Sequence, residues 1–126
     1  MRVKRLVLIV PGDVNTGSPN RRYHWRTAAT LKKRWTAAAT MAWRAAGSPW
    51  VGERVRLTFT VRRARALDPG NALRSLCLVA IENGLKKRAF VDDDVLHLCY
   101  GELIQEVDKK FKGFEEVQVL IERVEG

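Results

Sequence analysis

The spacing of apolar and polar residues along the chain predicts four β-strands. The segment Arg2–Val10 contains five consecutive aliphatic residues and is typical of a buried strand. In Arg54–Arg63 every second residue is apolar, which predicts a strand with one face in the core and one basic, polar face. We expect a third strand within residues 89–104, after an acidic cluster, and a fourth at Val117–Ile121.

Two further segments have helical patterns. The first is His24–Ala46, which is followed by the helix-stopping sequence Gly-Ser-Pro. Its predicted core-facing stripe is about 100° wide and consists of Ala28, Leu31, Trp35, Ala38, Ala42 and Ala45. The second helix begins at Asn71 and is nearly all apolar, so we expect it to be buried on more than one side, with Asn83 and Gly84 as its stop.

These elements predict one small α/β (α+β) domain, residues 1–126, in which a mixed sheet of about four strands packs against two helices in two layers. The 126 residues, 46% of them hydrophobic, are enough for one core. Residues 13–22 are expected to form a loop and residues 108–113 a mobile loop. No apolar run approaches the roughly 20 residues of a membrane helix, so we expect a cytoplasmic protein without membrane contact.

Charge is divided unevenly along the chain. Residues 1–65 hold 15 Lys and Arg against two acidic residues, a net charge of +13, whereas residues 66–126 hold 8 against 12, a net charge of −4. Such a basic half attracts polyanions, and nucleic acid is the expected partner, with ribosomal RNA or a membrane surface as alternatives. On the first helix Arg26, Lys33 and Arg44 share one side, and Arg22 joins them if the helix begins early.

Aspartates flank the second helix of this basic protein: Asp68 precedes the helix, and Asp92, Asp93 and Asp94 follow it. Carboxylates among cations either pair with arginines or hold Mg²⁺ beside a phosphodiester, and spacing alone favours neither. The two cysteines and two histidines lack the spacing of a zinc site.

Three stretches together resemble the RusA family of Holliday junction resolvases: RRARALDPGN at residues 62–71, FVDDDVLHL at residues 90–98, and NRRYHWR at residues 20–26. Members of that family are small homodimeric, Mg²⁺-dependent endonucleases of phages and prophages. The resemblance covers most of the chain. It implies a branched-DNA substrate, Mg²⁺ as cofactor, a homodimer, and a location in the cytoplasm of a bacterial host.

The resemblance also implies roles for individual residues. Asp68, Asp92 and Asp93 would be catalytic and, with Asp94, would hold the metal; the DNA would contact Arg22, Arg26, Lys33, Arg44, Arg62, Arg63, Arg65, Asn71 and Arg74. Gly70 stands where the family has a second aspartate, and no lysine stands at the family's lysine position. The alternatives are therefore a branched-DNA-binding module without catalysis, and an RNA-binding basic protein.

Overall fold

The computed structural model describes residues 2–12, 25–65, 76–91 and 98–124. Within these ranges it contains four strands and two α-helices, in the order β1 (Arg5–Pro11), α1 (Trp25–Ala45), β2 (Val55–Arg63), α2 (Leu76–Leu85), β3 (Leu98–Val107) and β4 (Glu116–Arg123). The predicted α+β class is confirmed.

The four strands form one mixed sheet in the order β1-β4-β2-β3. Strand β4 pairs antiparallel with both β1 and β2, and β2 pairs parallel with β3. A parallel pair requires a crossover connection, and α2 lies in the connection between β2 and β3.

One face of the sheet is covered by the helices. The alternating residues Val55, Leu57, Phe59 and Val61 of β2 are all buried, as the sequence predicts, and they belong to one core cluster with Trp35 of α1 and Ile81 of α2. No helix of the described ranges covers the opposite face, which is called the open face below. There Ile9, Gln118, Thr60 and Ile104 lie side by side across the four strands, and Thr60, on an inner strand, is only 6% exposed.

Strand β1 is not buried on both faces, contrary to the prediction. Leu8 and Val10 point into the core, whereas Val7 and Ile9 are 47% and 42% exposed. Because β1 lies at the sheet edge and only one face is covered by helices, alternate residues remain at the surface. A continuous aliphatic run alone does not distinguish this arrangement from a fully buried strand.

The buried side of α1 is rotated from the predicted stripe. Trp35 is buried as expected, but Ala45 is exposed, and Ala39 and Thr40 are buried instead. Hydrogen bonds between the two helices explain this rotation. Thr36 Oγ1 donates to the carbonyl of Ala80 at 3.2 Å, and Thr40 Oγ1 donates to the carbonyl of Gly84 at 3.1 Å. Two threonines therefore face α2, which a hydrophobic pattern does not predict.

Helix α2 is buried on most sides, as predicted, with only Val79 among its described apolar side chains strongly exposed, at 39%. Gly84 does not end this helix, which continues to Leu85. A Cβ at Gly84 would lie 2.6 Å from the carbonyl oxygen of Thr36. The glycine therefore allows α1 and α2 to approach closely, and the left-handed residue after the helix is Lys87, with φ of 63°.

Residues 108–113, for which the sequence predicts a mobile loop, contain one short helical turn. Lys109–Phe111 is a 3₁₀ helix, and the Asp108 carboxylate caps it by accepting a hydrogen bond from the backbone N–H of Lys110 at 2.9 Å. The backbone N–H of Asp108 donates to the carbonyl of Arg63 at 3.2 Å. This turn is therefore attached to the end of β2.

Candidate nucleic-acid interface

The expected metal ligands and several expected DNA contacts lie outside the described residues. This group consists of Asp68, Asp92, Asp93, Asp94, Asn71, Arg74 and Arg22. Arg26 lies in α1, but its side chain is outside the described part as well. Among the side chains that the structure does describe, no three His, Cys, Asp or Glu form a metal-binding group. The proposed metal site thus stays a prediction.

The described residues that flank the two acidic segments lie at opposite ends of the β2–β3 pair. Arg63, just before residues 66–75, pairs with Val107 at the end of β3, whereas Leu98, just after residues 92–97, pairs with Val55 at the start of β2. The eight steps from Val55 to Arg63 correspond to about 26 Å at about 3.3 Å per residue. A metal site shared by Asp68 and Asp93 of one chain requires the two segments to bridge that distance.

The predicted cation row on α1 is exposed where it is described. Lys33 and Arg44 are both at the surface. They are eleven positions apart, which is about three helical turns and about 16 Å along the axis, so they lie on the same side of the helix. Their spacing suits contacts with successive parts of a phosphate backbone.

Arg62, one of the predicted phosphate contacts, is engaged in ion pairs within the sheet. Its guanidinium donates to Glu106 at 3.0 Å, to Glu116 at 2.9 Å and to Gln118 at 2.7 Å. The hydrogen bond to Glu106 is the largest cause that raises the pKa of Arg62 above its usual value. Arg62 thus links β2 to β3 and β4 on the open face of the sheet, and its interactions with the two glutamates favour the charged form of its guanidinium.

Arg63 and Arg65 have different environments at the end of β2. Arg63 continues the alternation of Val55 to Val61, so it points to the helix-covered face and is only 7% exposed. Its Nε lies 3.5 Å from Oε2 of Glu115 and makes no hydrogen bond within the described part of the chain. Arg65 is exposed. Of these two predicted DNA contacts, Arg65 is accessible to a ligand. Arg63 is buried, and its positive charge adds to the electrostatic potential at the surface above it.

These two arginines line a basic cleft of about 560 Å³ at the end of β2. Its described walls consist of Arg63, Ala64, Arg65, Lys109, Lys112, Gly113 and Glu115. Among these residues four cations face one carboxylate, so this part of the cleft attracts anions, and phosphate is the anion that nucleic acid presents. The cleft lies where residues 66–75, which carry the DPGN motif, begin.

Lys109 and Lys112 are cleft residues that the sequence patterns did not predict. They lie in the acidic half of the chain, in a segment interpreted as a mobile loop. The parallel pairing of β2 with β3 ends at Arg63 and Val107, and this register brings the turn beside the arginines. The run of lysines in DKKFKG was a signal, but nothing local indicated which surface it would join.

No protein-family model matches the chain, and a comparison with curated proteins finds no significantly similar sequence. Neither helix of the described ranges combines the length and hydrophobicity that a membrane crossing needs.

Proposed function

We propose that this protein is a Mg²⁺-dependent endonuclease for branched DNA, similar to the RusA resolvases, in the cytoplasm of a bacterial host. The observation that carries the proposal is the cleft of Arg63, Arg65, Lys109 and Lys112, which adjoins the start of the Asp68 segment. A nuclease needs cations to hold the phosphodiester next to its metal ligands, and this chain places cations directly before its DPGN motif.

The proposed ligands are hard oxygen donors, which suit Mg²⁺: four carboxylates, Asp68 and Asp92 to Asp94, and the amide oxygen of Asn71. Bound Mg²⁺ would lower the pKa of a water and stabilise the departing oxygen. Arg74 would keep a positive charge near the phosphate, but a guanidinium does not give up its proton at neutral pH. Proton transfer therefore falls to carboxylates or water.

The test is cleavage of a four-way DNA junction by the wild type and by Asp93→Asn. We expect the wild type to cut with Mg²⁺ and not with EDTA. Asp93→Asn should bind the junction at least as tightly, because a negative charge near phosphate has been removed, and should not cut. Cleavage by Asp93→Asn at the wild-type rate would exclude this carboxylate from the site.

The second candidate is a branched-DNA-binding module without catalysis, which Gly70 favours because the position lacks a carboxylate. If the wild type binds junctions without cutting and Gly70→Asp cuts them, this candidate replaces the first. An RNA-binding protein would prefer structured RNA over a DNA junction at the same salt concentration and would not respond to Mg²⁺. A competition experiment among duplex DNA, junction and structured RNA separates the three.

A homodimer is part of the proposal, because symmetric cutting of a junction needs two sites. The open face of the sheet exposes Val7, Ile9 and Ile104, the last at 40%. Since few described apolar residues of α2 are exposed, the open sheet face is the better candidate for the contact. Light scattering should show twice the chain mass, and Ile9→Asp should shift it towards the monomer.

A further inference from the structure

The turn between β3 and β4 carries an exposed aromatic ring. Phe114 is 77% exposed, whereas Phe59 and Phe90 are buried in the core. Exposing a large aromatic ring to water has a cost that a ligand can relieve. Three lysines, Lys109, Lys110 and Lys112, precede it within five positions, whereas Glu115 and Glu116 follow it.

Hydrogen bonds hold this turn in place. The backbone N–H of Phe111 donates to the carbonyl of Asp108 at 3.0 Å, and the N–H of Phe114 donates to the carbonyl of Phe111 at 2.9 Å. Gly113 has φ of 82°, a value that favours glycine, and it sets the direction of the chain just before Phe114. Because the backbone that carries the ring is already held, binding through the ring has to order only the side-chain torsions of Phe114.

Two clefts share residues of this turn. The basic cleft described above contains Lys109, Lys112 and Arg65, and a second cleft of about 440 Å³ is lined by Pro11, Gly12, Gly113, Phe114 and Glu115. Because both clefts include Gly113 and Glu115, the cleft that contains the ring adjoins the cleft that contains the cations. The N–H of Gly12 donates to the carbonyl of Glu115 at 3.1 Å, which joins the end of β1 to the same structure.

We propose that this surface binds an unpaired nucleotide, with its base stacked on Phe114 and its flanking phosphates in the cleft of Arg65, Lys109 and Lys112. Aromatic rings next to a cationic groove are the features with which proteins hold single-stranded nucleic acid. In fully paired DNA the bases are stacked on one another, so only unpaired positions can use the ring. The inference deepens the proposed function, since base pairs at a branch point lose stacking on one side and open more readily than pairs within a duplex, and it uses none of the proposed metal ligands.

The experiment measures binding of a 12-nucleotide DNA strand that contains one 2-aminopurine, and of the same strand in a duplex. Stacking quenches 2-aminopurine fluorescence. The wild type should quench the single strand, and Phe114→Ala should lose the quenching and bind the single strand about tenfold more weakly, with unchanged affinity for the duplex. Phe114→Leu, which is apolar but has no π-face, should behave like the alanine variant, and Phe114→Trp should bind at least as well as the wild type.

Lys112→Gln is the matched control for the cleft. It should weaken binding of both the single strand and the duplex. It should also reduce the slope of the logarithm of the binding constant against the logarithm of the salt concentration. The reduction should be about 0.7 to 0.9 for each phosphate that the side chain no longer neutralises. Because Phe114 and Lys112 are both exposed, thermal melts of the variants should match the wild type.

The inference is overturned if Phe114→Leu retains full affinity and quenching, or if Phe114→Ala weakens single strand and duplex equally. If the wild type does not cut junctions but loss of the Phe114 ring still weakens single-strand binding, the stacking site is supported and only the nuclease proposal fails. An RNA strand of the same sequence distinguishes the source of the nucleotide: preference for RNA with the same ring effect supports the stacking site and contradicts the DNA nuclease. A wild type that binds neither strand overturns the stacking site, whereas the nuclease proposal is decided separately by cleavage of the four-way junction.

Discussion

Replacing Gly84 by alanine tests the close approach of the two helices. An alanine Cβ would lie 2.6 Å from the carbonyl oxygen of Thr36 and 3.1 Å from the Cβ of Ala39. The first distance is shorter than van der Waals contact and involves backbone, so the helices must move apart. The Thr40 hydroxyl, which donates to the Gly84 carbonyl at 3.1 Å, would be displaced as well.

Three effects decide the size of the change in unfolding free energy. Overpacking a core costs about 1 to 3 kcal/mol, and weakening a buried hydrogen bond costs about 0.5 to 1.5 kcal/mol. Alanine is favoured over glycine inside a helix by about 1 kcal/mol. The overpacking and the weakened hydrogen bond together exceed the gain in helix propensity, so we expect Gly84→Ala to lower the unfolding free energy by about 2 kcal/mol. For a chain of this size, at about 4 °C per kcal/mol, the Tm should fall by about 8 °C.

The assay is urea unfolding followed by circular dichroism and by tryptophan fluorescence. Asn83→Ala is the matched control, because it raises helix propensity at the neighbouring, partly exposed position without adding atoms. It should be as stable as the wild type or slightly more stable. If Gly84→Ala also equals or exceeds the wild type, helix propensity outweighs the steric clash and the tight packing of α1 against α2 is refuted.

The other predictions concern the cations and the turn that holds them. Arg62→Met should lower the unfolding free energy by about 1 to 2 kcal/mol, because its partly screened ion pairs are lost. Its DNA affinity, measured by filter binding, should change less than twofold; a larger loss of affinity would show that Arg62 contacts the DNA. The double change Arg65→Gln with Lys109→Gln should leave the melting temperature unchanged and reduce the slope of log affinity against log salt by about 2, and an unchanged slope would contradict the cleft as a phosphate site. Asp108→Ala should cost about 1 kcal/mol through loss of the cap and should also weaken DNA binding, because Lys109 and Lys112 lose their fixed position; unchanged binding would show that the cap is not needed for their placement.

The architecture could be predicted because it depends on local periodicity. Alternation in β2 identified both its buried and its open side, and the long α1 followed from its pattern and from the Gly-Ser-Pro stop. The orientation of α1 could not be predicted, because Thr36 and Thr40 are polar and turn inwards for hydrogen bonds to α2 that only the folded chain provides. The role of Gly84 was misinterpreted for a related reason: a close approach of two helices and a helix stop both favour glycine.

The basic surface was only partly predictable. The composition indicated that the surface carries positive charge, but the partner of each cation depends on the register of the strands. Arg62 faces Glu106 and Glu116 because β3 and β4 flank β2, and Lys109 and Lys112 join Arg63 and Arg65 because β3 ends beside the end of β2. Residues far apart in sequence determine these pairs, and no local pattern contains them.

The most direct test of the central claim is Mn²⁺ binding, in which Mn²⁺ replaces Mg²⁺ as a paramagnetic probe, measured by electron paramagnetic resonance on the wild type, Asp68→Asn and Asp93→Asn. If the two acidic segments form one site, the wild type binds Mn²⁺ saturably and either substitution alone greatly weakens that binding. No saturable binding by the wild type, or wild-type binding in either variant, would show that Asp68 and Asp93 do not share a metal ion.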